Sequence, residues 1–264
     1  EFVVSFLGAL NGNADVAIGN VVGSNIFNVL GILGITAIFF PIAVDRKNMR
    51  FELPLCIFVS VLLLLLTFNC FNGSASSLAR LDGILLLLVF ALYMLYSFAR
   101  DRKEATVAAD NGDGGSLWKA VLKVVGGLAL LITSCDFFVD NAVSVAKSFG
   151  VDNAFISLTL IACGTSLPEL AASVAAAVKK NTDMALGNIV GSNIFNITLI
   201  LGLSSQVMPL TSSGITYVDY IVMIAAAVLL FVIGLFGRIG RLSGLLMFIC
   251  FVLYNWYLVS NQMA

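Results

Sequence analysis

Apolar runs long enough to cross a lipid bilayer recur along this chain. The plainest occupy residues 53–70, 81–98 and 217–235. A helix needs about 20 mostly apolar residues to cross a hydrocarbon core of roughly 30 Å. The chain is 60% hydrophobic and 11% charged, which is more apolar surface than a soluble domain can bury. Because the runs do not alternate as barrel strands do, the sequence predicts an all-α membrane protein.

The apolar runs divide the chain into separate helices. They are predicted near residues 1–10, 15–40, 52–71, 79–99, 117–148, 151–178, 183–205, 217–236 and 242–260. Residues 101–116 are polar and contain several glycines, so they are predicted to form a flexible linker between a first bundle at 1–100 and a second at 117–264. The chain opens at Glu1 without an initiator methionine, so we expect the first bundle to be truncated at its N-terminus.

Basic residues are distributed unequally between the two membrane sides that these helices define. One side receives only Arg80 and Lys147. The other side receives Arg46, Lys47, Arg50, Arg100, Arg102, Lys103, Lys119, Lys179, Lys180, Arg238 and Arg241. Cytoplasmic loops carry the excess of lysine and arginine in membrane proteins. We therefore expect a plasma (inner) membrane protein with a cytoplasmic linker and a C-terminus outside.

Several classes of function are excluded by residues that the sequence lacks. It has no histidine and no CxxC pair among its 5 cysteines, so no transition-metal site is expected. No GxSxG or HExxH motif is present, so we expect neither an enzyme nor a bound cofactor. The 14 basic and 15 acidic residues form no nucleic-acid footprint, so no nucleic-acid partner is expected.

The chain contains an internal repeat. Residues 1–28 align without a gap on residues 169–196, and more than half of the aligned positions are identical. The apolar positions differ freely, whereas polar and small residues, which are costly in lipid or poor in helices, are kept. The presence of the same polar and small residues in both copies indicates a functional site. The identical residues include the run GSNIFN at 23–28 and 191–196, with Glu1/Glu169, Ser5/Ser173, Asn13/Asn181, Asp15/Asp183, Gly19/Gly187 and Asn20/Asn188.

The two copies are predicted to cross the membrane in opposite directions. The second copy begins five predicted helices after the first, and an odd number of crossings inverts the second copy relative to the first. Inverted repeats with interrupted helices are typical of secondary transporters, in which the ion site lies near the bilayer midplane between the halves. The expected fold is therefore two inverted-topology repeats of transmembrane helices.

The second copy contains a predicted helix break. Pro168 lies within an apolar segment, where it removes a backbone donor and disfavours helical geometry in the preceding residue. A break there frees carbonyls from Ala162 onward and places the Thr165 and Ser166 hydroxyls beside the Glu169 carboxylate. Such an all-oxygen cluster suits a hard cation such as sodium or calcium. The alternative is a protonated Glu169 that only bonds neighbouring helices.

The shared GSNIFN run supplies further oxygen atoms. Ser24 and Asn28 lie four residues apart on one helix face, as do Ser192 and Asn196. These four are candidate ligands, although serine and asparagine also join membrane helices without binding ions. For Asn20, Asn25, Asn188 and Asn193 we favour the joining role. Asp15 and Asp183 fall at helix starts, where we favour capping.

The motifs GTSLPE at 164–169 and GSNIFN at 23–28 and 191–196 resemble the sodium/calcium exchanger superfamily, whose two repeats each carry GTSxPE followed by GSNIxN. The resemblance implies five plus five helices in the intact parent, with the first helix and part of the second missing before Glu1. It also implies alternating access and a diamond of ion sites between the repeats. The residues it assigns to these sites are Glu1, Ser24, Asn28, Ala162, Thr165, Ser166, Glu169, Ser192 and Asn196.

The same resemblance implies an activity, the exchange of calcium for sodium by a minimal, prokaryote-like exchanger. The two glutamates carry enough charge for one calcium ion, and potassium co-transport is not expected because Asn28 and Asn196 are both neutral. The expected partners are calcium, sodium and membrane lipid, and a monomer should suffice for function. The alternative is a proton-coupled calcium antiporter that uses the same glutamates. A channel is a further rival and would show no countertransport.

Overall fold

The computed structural model of the chain describes residues 1–45, 48–68, 77–108, scattered helical residues between 118 and 148, 162–211 and 214–262. These residues form two units, the first made of residues 1–87 with 165–264 and the second of residues 88–164. Each unit is described by itself. Both copies of the repeat lie in the first unit, which therefore holds most of the candidate site residues.

The first half of the chain is helical from its start. Its helices are α1 (Phe2–Leu10), α2 (Ala14–Ile26), π1 (Phe27–Leu33), α3 (Gly34–Phe39), π2 (Asn48–Glu52), α4 (Leu53–Thr67) and α5 (Arg80–Ala108). The segments α2, π1 and α3 form one continuous span, Ala14–Phe39. The sequence predicted this span as a regular helix, but its middle is π-helical, a form that often occurs at functional sites.

The helices of the second half are α6 (Ala162–Gly164), α7 (Leu167–Val178), α8 (Thr182–Phe195), π3 (Asn196–Ile200), α9 (Leu201–Val207), α10 (Tyr217–Gly234) and α11 (Arg241–Gln262). From α7 onward, the second half follows the same order as the first, without a counterpart of π2 among its described residues. The described residues between 118 and 148 are helical, in agreement with the helix predicted at 117–148. Residues 151–161 of the next predicted helix lie outside the described part of the chain.

Within the described residues, six helical spans are long and apolar enough to cross a membrane, which confirms the all-α membrane class. The spans differ in their surroundings. Ala14–Phe39 is 78% buried over its apolar window, whereas Arg241–Ser260 is 11% buried. A helix that is apolar all round and buried belongs to the protein interior, and an apolar exposed one faces lipid. The span Ala14–Phe39 thus lies in the interior of the first unit, and α11 lies at the surface of that unit.

Helix α5 is longer than predicted. It continues through Ala108, so residues 101–108 of the predicted linker are helical. The reason is local composition, because this segment contains arginine, lysine, glutamate and alanine and no glycine or proline. The glycines of the predicted linker begin at residue 112, outside the described residues. The predicted bundle boundaries at 100 and 117 remain a prediction.

The turns that open the two copies have the same geometry. Asn13 caps α2 by accepting from Val16 N at 3.1 Å, and Asn181 caps α8 by accepting from Met184 N at 3.2 Å. The residue before each cap has positive φ, 76° at Gly12 and 60° at Lys180. The repeat therefore extends from sequence to backbone conformation, including one position where only the first copy has glycine.

Two short strand pairs join the halves. Strand β1 (Ile42–Ala43) pairs antiparallel with β4 (Arg238–Ile239), and β2 (Ser77–Leu78) pairs with β3 (Leu210–Thr211). β1 follows α3 and β3 follows α9, so each strand after an interrupted span pairs with a strand from the other half. The symmetric pairing supports two equivalent, intertwined halves in the first unit.

Two glycine contacts follow the same pattern. A Cβ placed on Gly244 of α11 would meet the carbonyl oxygen of Gly34 at 2.7 Å. A Cβ placed on Gly83 of α5 would overlap Ser205 Oγ and would meet the carbonyl oxygen of Gly202 at 2.9 Å. Glycine at these crossings lets two helix backbones approach closely, as small residues do between membrane helices. Each contact joins an interrupted span to a helix of the other half.

Candidate ion-binding site

The predicted helix break is present in the second copy. α6 ends at Gly164, and Thr165 and Ser166 form a turn before α7 begins at Leu167. Pro168 lies in the first turn of α7, where its missing N–H has no helical partner to lose. Glu169 follows in the same turn. The N-terminus of α7 carries partial positive charge, which favours a carboxylate at this position.

Glu1 is bonded by residues of the second copy. Ser166 Oγ donates to Glu1 Oε1 at 2.6 Å, and Asn196 Nδ2 donates to Glu1 Oε2. The two donors come from the turn before α7 and from the start of π3. Three of the predicted site residues thus lie in direct contact, although two of them are more than 160 positions from the first along the chain.

Both predicted carboxylates line one cavity of about 450 Å³. Among the described residues that line it, none is lysine or arginine. Negative charge in an apolar protein interior is stable only beside a partner, and a bound cation supplies one. The lining residues are Glu1, Phe2, Glu169, Gly187, Asn188, Gly191, Ser192, Phe195, Asn196 and Ile200.

Two buried acceptor oxygens at the site have no hydrogen-bond partner in the described part of the chain. They are Oε2 of Glu169 and Oδ1 of Asn28. Leaving a buried acceptor unpaired costs about 1–3 kcal/mol, and more for a charged group. Carboxylate and amide oxygens are ligands for calcium and sodium. The structure thus leaves free two of the oxygen atoms that the sequence assigned to a cation.

The asparagines of the GSNIFN runs form a network across the two copies. Asn28 Nδ2 donates to Asn193 Oδ1 at 3.0 Å, and Asn196 Nδ2 donates to Asn25 Oδ1 at 3.1 Å. Ser24, which is buried, donates to Val21 O at 3.1 Å and accepts from Asn196 Nδ2 at 3.4 Å. Both copies thereby contribute to one polar centre.

The remaining predicted residues are placed less centrally. Thr165 Oγ1 donates to Asn20 Oδ1 at 3.3 Å, which ties the turn to α2. Ser192 lines the cavity from α8. Ala162 is the first residue of α6 and belongs to the second unit, so the structure does not place it relative to the others.

Asn20 and Asn188 join helices in the way that the sequence favoured. Asn20 Nδ2 donates to Ser5 Oγ at 2.9 Å and to the Glu1 carbonyl at 3.3 Å. Asn188 Nδ2 makes the matching bonds to Ser173 Oγ at 3.1 Å and to the Glu169 carbonyl at 3.4 Å. Each amide therefore holds the backbone of one candidate glutamate. This function of Ser5 and Ser173 was not predicted from the sequence, although both copies have serine at this position.

The helix caps differ from the prediction for the aspartates. Asn13 and Asn181 cap α2 and α8, and Asp15 and Asp183 lie in the first turns that follow. The asparagines are the N-cap residues because their side chains accept from the backbone N–H three residues later. Asp15 instead accepts from Gly214 N at 2.9 Å and fixes the loop before α10.

Comparison with known proteins agrees with this geometry. The profile of a family described as sodium/calcium exchanger protein matches residues 1–99 and 119–260. The chain belongs to this family. It is a transporter and not an enzyme, since the family consists of exchangers. The inverted repeats of the structure fit the fold of such exchangers.

Three similar proteins illustrate the relationship. CaxA of Alkalimonas amylolytica, whose name describes an antiporter, is 38% identical over 99% of this chain and 84% of its own length. The sodium/calcium exchanger MaX1 of Methanosarcina acetivorans is 28% identical over 96% of this chain and 83% of its own length. The solved structure of the sodium-calcium exchanger NCX_Mj, soaked without Na⁺ and Ca²⁺, has a TM-score of 0.79 and 27% identity, covering 97% of this chain and 81% of that one.

Proposed function

We propose that the protein exchanges calcium for sodium across a membrane, with the ions bound between the two copies of the repeat. The observation that carries the proposal is the cavity that both Glu1 and Glu169 line, without lysine or arginine among its described lining residues. Two carboxylates balance one divalent cation, and the neighbouring hydroxyl and amide oxygens suit calcium or sodium. The relatives named sodium/calcium exchangers support sodium as the counter-ion.

Alternating access is the mechanism we propose for this exchange. Inverted repeats allow a central site to be opened first to one side and then to the other by equivalent movements of each half. The matching caps, strand pairs and glycine contacts of the two halves support such equivalence. The ligand residues of the interrupted spans lie where these halves meet.

A proton-coupled calcium antiporter is the second candidate. It is favoured by Oε2 of Glu169, a buried acceptor without a partner in the described residues. A proton on this oxygen would remove its charge as effectively as a metal ion would balance it. The same site could then release calcium when Glu169 is protonated.

Flux measurements distinguish the two. Purified protein in vesicles loaded with sodium should take up calcium when diluted into sodium-free medium, and collapse of any pH gradient should leave this uptake unchanged. Uptake that follows a pH gradient and ignores sodium would establish the proton-coupled alternative. Calcium current without any counter-ion dependence would indicate a channel.

A matched pair of variants tests the site. Glu169→Gln should abolish calcium uptake, because the amide removes one of the two charges that balance calcium. Asp183→Asn makes the same chemical change at an exposed position in the first turn of α8 and should leave uptake intact. Robust transport by Glu169→Gln would overturn the proposed site.

We also propose that the β1–β4 end of the first unit faces the cytoplasm of a plasma membrane protein. Arg238 lies in β4, and Arg241 begins α11 directly after it. Arg80, from the side with few basic residues, donates to Val207 O near the β2–β3 pair. Cysteine placed at Arg238 should react with an impermeant maleimide only from inside, and cysteine at the exposed Thr211 only from outside. The reverse pattern would invert the orientation.

A further inference from the structure

We propose that Asn25 and Asn193 are positioning residues that set the amide orientation of the candidate ligands Asn28 and Asn196. Each acts on the ligand of the opposite copy, so neither half presents its amide correctly alone. The inference rests on the proposed function, because it concerns how that site presents oxygen to a cation.

Asn25 and Asn193 make reciprocal bonds to each other's backbone carbonyls. Asn25 Nδ2 donates to Asn193 O at 3.2 Å, and Asn193 Nδ2 donates to Asn25 O at 3.2 Å. A carbonyl oxygen can only accept, so the atom facing it must be the NH₂ of the side chain. The orientation of both amides is therefore determined by the backbone.

The orientation is then passed to the neighbouring asparagines. Because the NH₂ groups of Asn25 and Asn193 face backbone carbonyls, the Oδ1 atoms of both side chains point away from those carbonyls and toward the candidate ligands. Asn193 Oδ1 accepts from Asn28 Nδ2 at 3.0 Å, and Asn25 Oδ1 accepts from Asn196 Nδ2 at 3.1 Å. An oxygen can hold only a donor in place, so the NH₂ group of each candidate ligand is turned toward it.

For Asn28 the consequence is an oxygen free to bind a cation. Its Nδ2 is occupied by Asn193, and its buried Oδ1 has no partner among the described residues. A rotated amide would present hydrogens instead, which repel a cation. All four asparagines are at most 2% exposed. Water therefore cannot replace the lost bonds, and the preference between the two orientations is strong.

The experiment compares calcium affinity and maximal rate in full-length protein. Asn193→Leu keeps the approximate shape of the side chain but removes both Oδ1, which accepts from Asn28, and Nδ2, which donates to Asn25 O. We expect the KM for calcium to rise about 3- to 10-fold, the equivalent of one lost hydrogen bond, with a smaller change in maximal rate. Asn255→Leu is the matched control, because Asn255 donates only to Phe251 O of its own helix in the described contacts.

A crossed mutant cycle separates positioning from general packing. In an Asn28→Ala background, Asn193→Leu should cause no further loss of calcium affinity, whereas Asn25→Leu should still cause one, since it acts through Asn196. Calcium binding is titrated on detergent-purified protein that elutes as a single folded species. Asn193→Ala replaces Asn193→Leu if the leucine variant does not fold.

Each result decides the matter. Equal losses from Asn193→Leu with and without Asn28, or no loss in the wild-type background, would overturn the positioning role. Failure of the wild-type protein to bind or carry calcium would instead overturn the proposed function, independently of these asparagines.

Discussion

The glutamates of the two copies occupy equivalent positions, but their carboxylates differ in hydrogen bonding. Glu1 Oε2 accepts from Asn196, whereas the equivalent Asn28 donates to Asn193, and Oε2 of Glu169 accepts from no described residue. Yet the backbone of each glutamate is held in the same way, by Asn20 in one copy and by Asn188 in the other. Identity of sequence thus sets the scaffold, and contacts from the other half set the state of each carboxylate.

The cavity shows the same inequality. Gly187 lines it, whereas a Cβ on the equivalent Gly19 would meet Ile215 Cδ1 at 3.0 Å. Among the described residues, no side chain covers Gly187 in this way. A difference of this kind is what alternating access, the mechanism proposed above, requires of two equivalent halves.

The sharpest way to test this comparison is to neutralise each glutamate in the absence of ions. Glu1→Gln should lower the free energy of unfolding by about 1.5–3 kcal/mol, since two donors then share a neutral partner in place of a carboxylate. Glu169→Gln should not lower it, since the change removes a buried charge whose Oε2 has no partner among the described residues. Denaturation in detergent with chelator and without sodium measures both values. Equal losses would show that the two carboxylates are equivalent after all.

The glycine contacts test whether the halves are joined equally. Gly244→Ala and Gly83→Ala should each destabilise the protein by about 1–3 kcal/mol, because each added methyl group overlaps a backbone carbonyl of the other half. Thermal unfolding of the purified protein measures the loss. Gly240→Ala is the control, because a Cβ there meets nothing within 4 Å. A loss confined to one of the two contacts would show that the halves are held unequally.

The paired serines give a smaller effect. Ser192 lines the cavity, whereas Ser24 is buried and donates to Val21 O of its own helix. We therefore expect Ser192→Ala to raise the KM for calcium about 3- to 10-fold and Ser24→Ala to raise it less. Initial rates of uptake over a calcium series measure both. A larger effect at Ser24 would place the ion nearer the first copy than the cavity indicates.

The sequence predicted most of the features that depend on local chemistry. The helix break follows from Pro168, and the candidate ligands follow from polar residues repeated in an apolar chain. The π-helical turns at Phe27–Leu33 and Asn196–Ile200 were not predicted. The two π-helices begin at Phe27 and Asn196, inside the GSNIFN runs, and neither π-helix contains proline. We attribute them to packing between the halves.

Partners across the halves could not be predicted either. The sequence favoured a joining role for Asn25 and Asn193, but a repeat comparison aligns equivalent positions and does not show which of them face each other. Their reciprocal bonds appear only when the second copy is placed against the first. The length of α5 was misjudged for a different reason, because charged helix formers after Arg100 resemble a linker in composition.

The smallest predicted effect concerns the turns before α2 and α8. Lys180 adopts a φ of 60° where the first copy has Gly12 at 76°. The left-handed conformation costs a residue with a side chain about 1–2 kcal/mol, and glycine avoids this cost. Part of the gain is cancelled because glycine has more conformational freedom to lose when the chain folds. Lys180→Gly should therefore stabilise the protein by about 0.5–1 kcal/mol in a denaturation experiment. Lys179→Gly removes the same charge at a φ of -77° and should not stabilise it. Equal gains from both would attribute the effect to charge and not to backbone conformation.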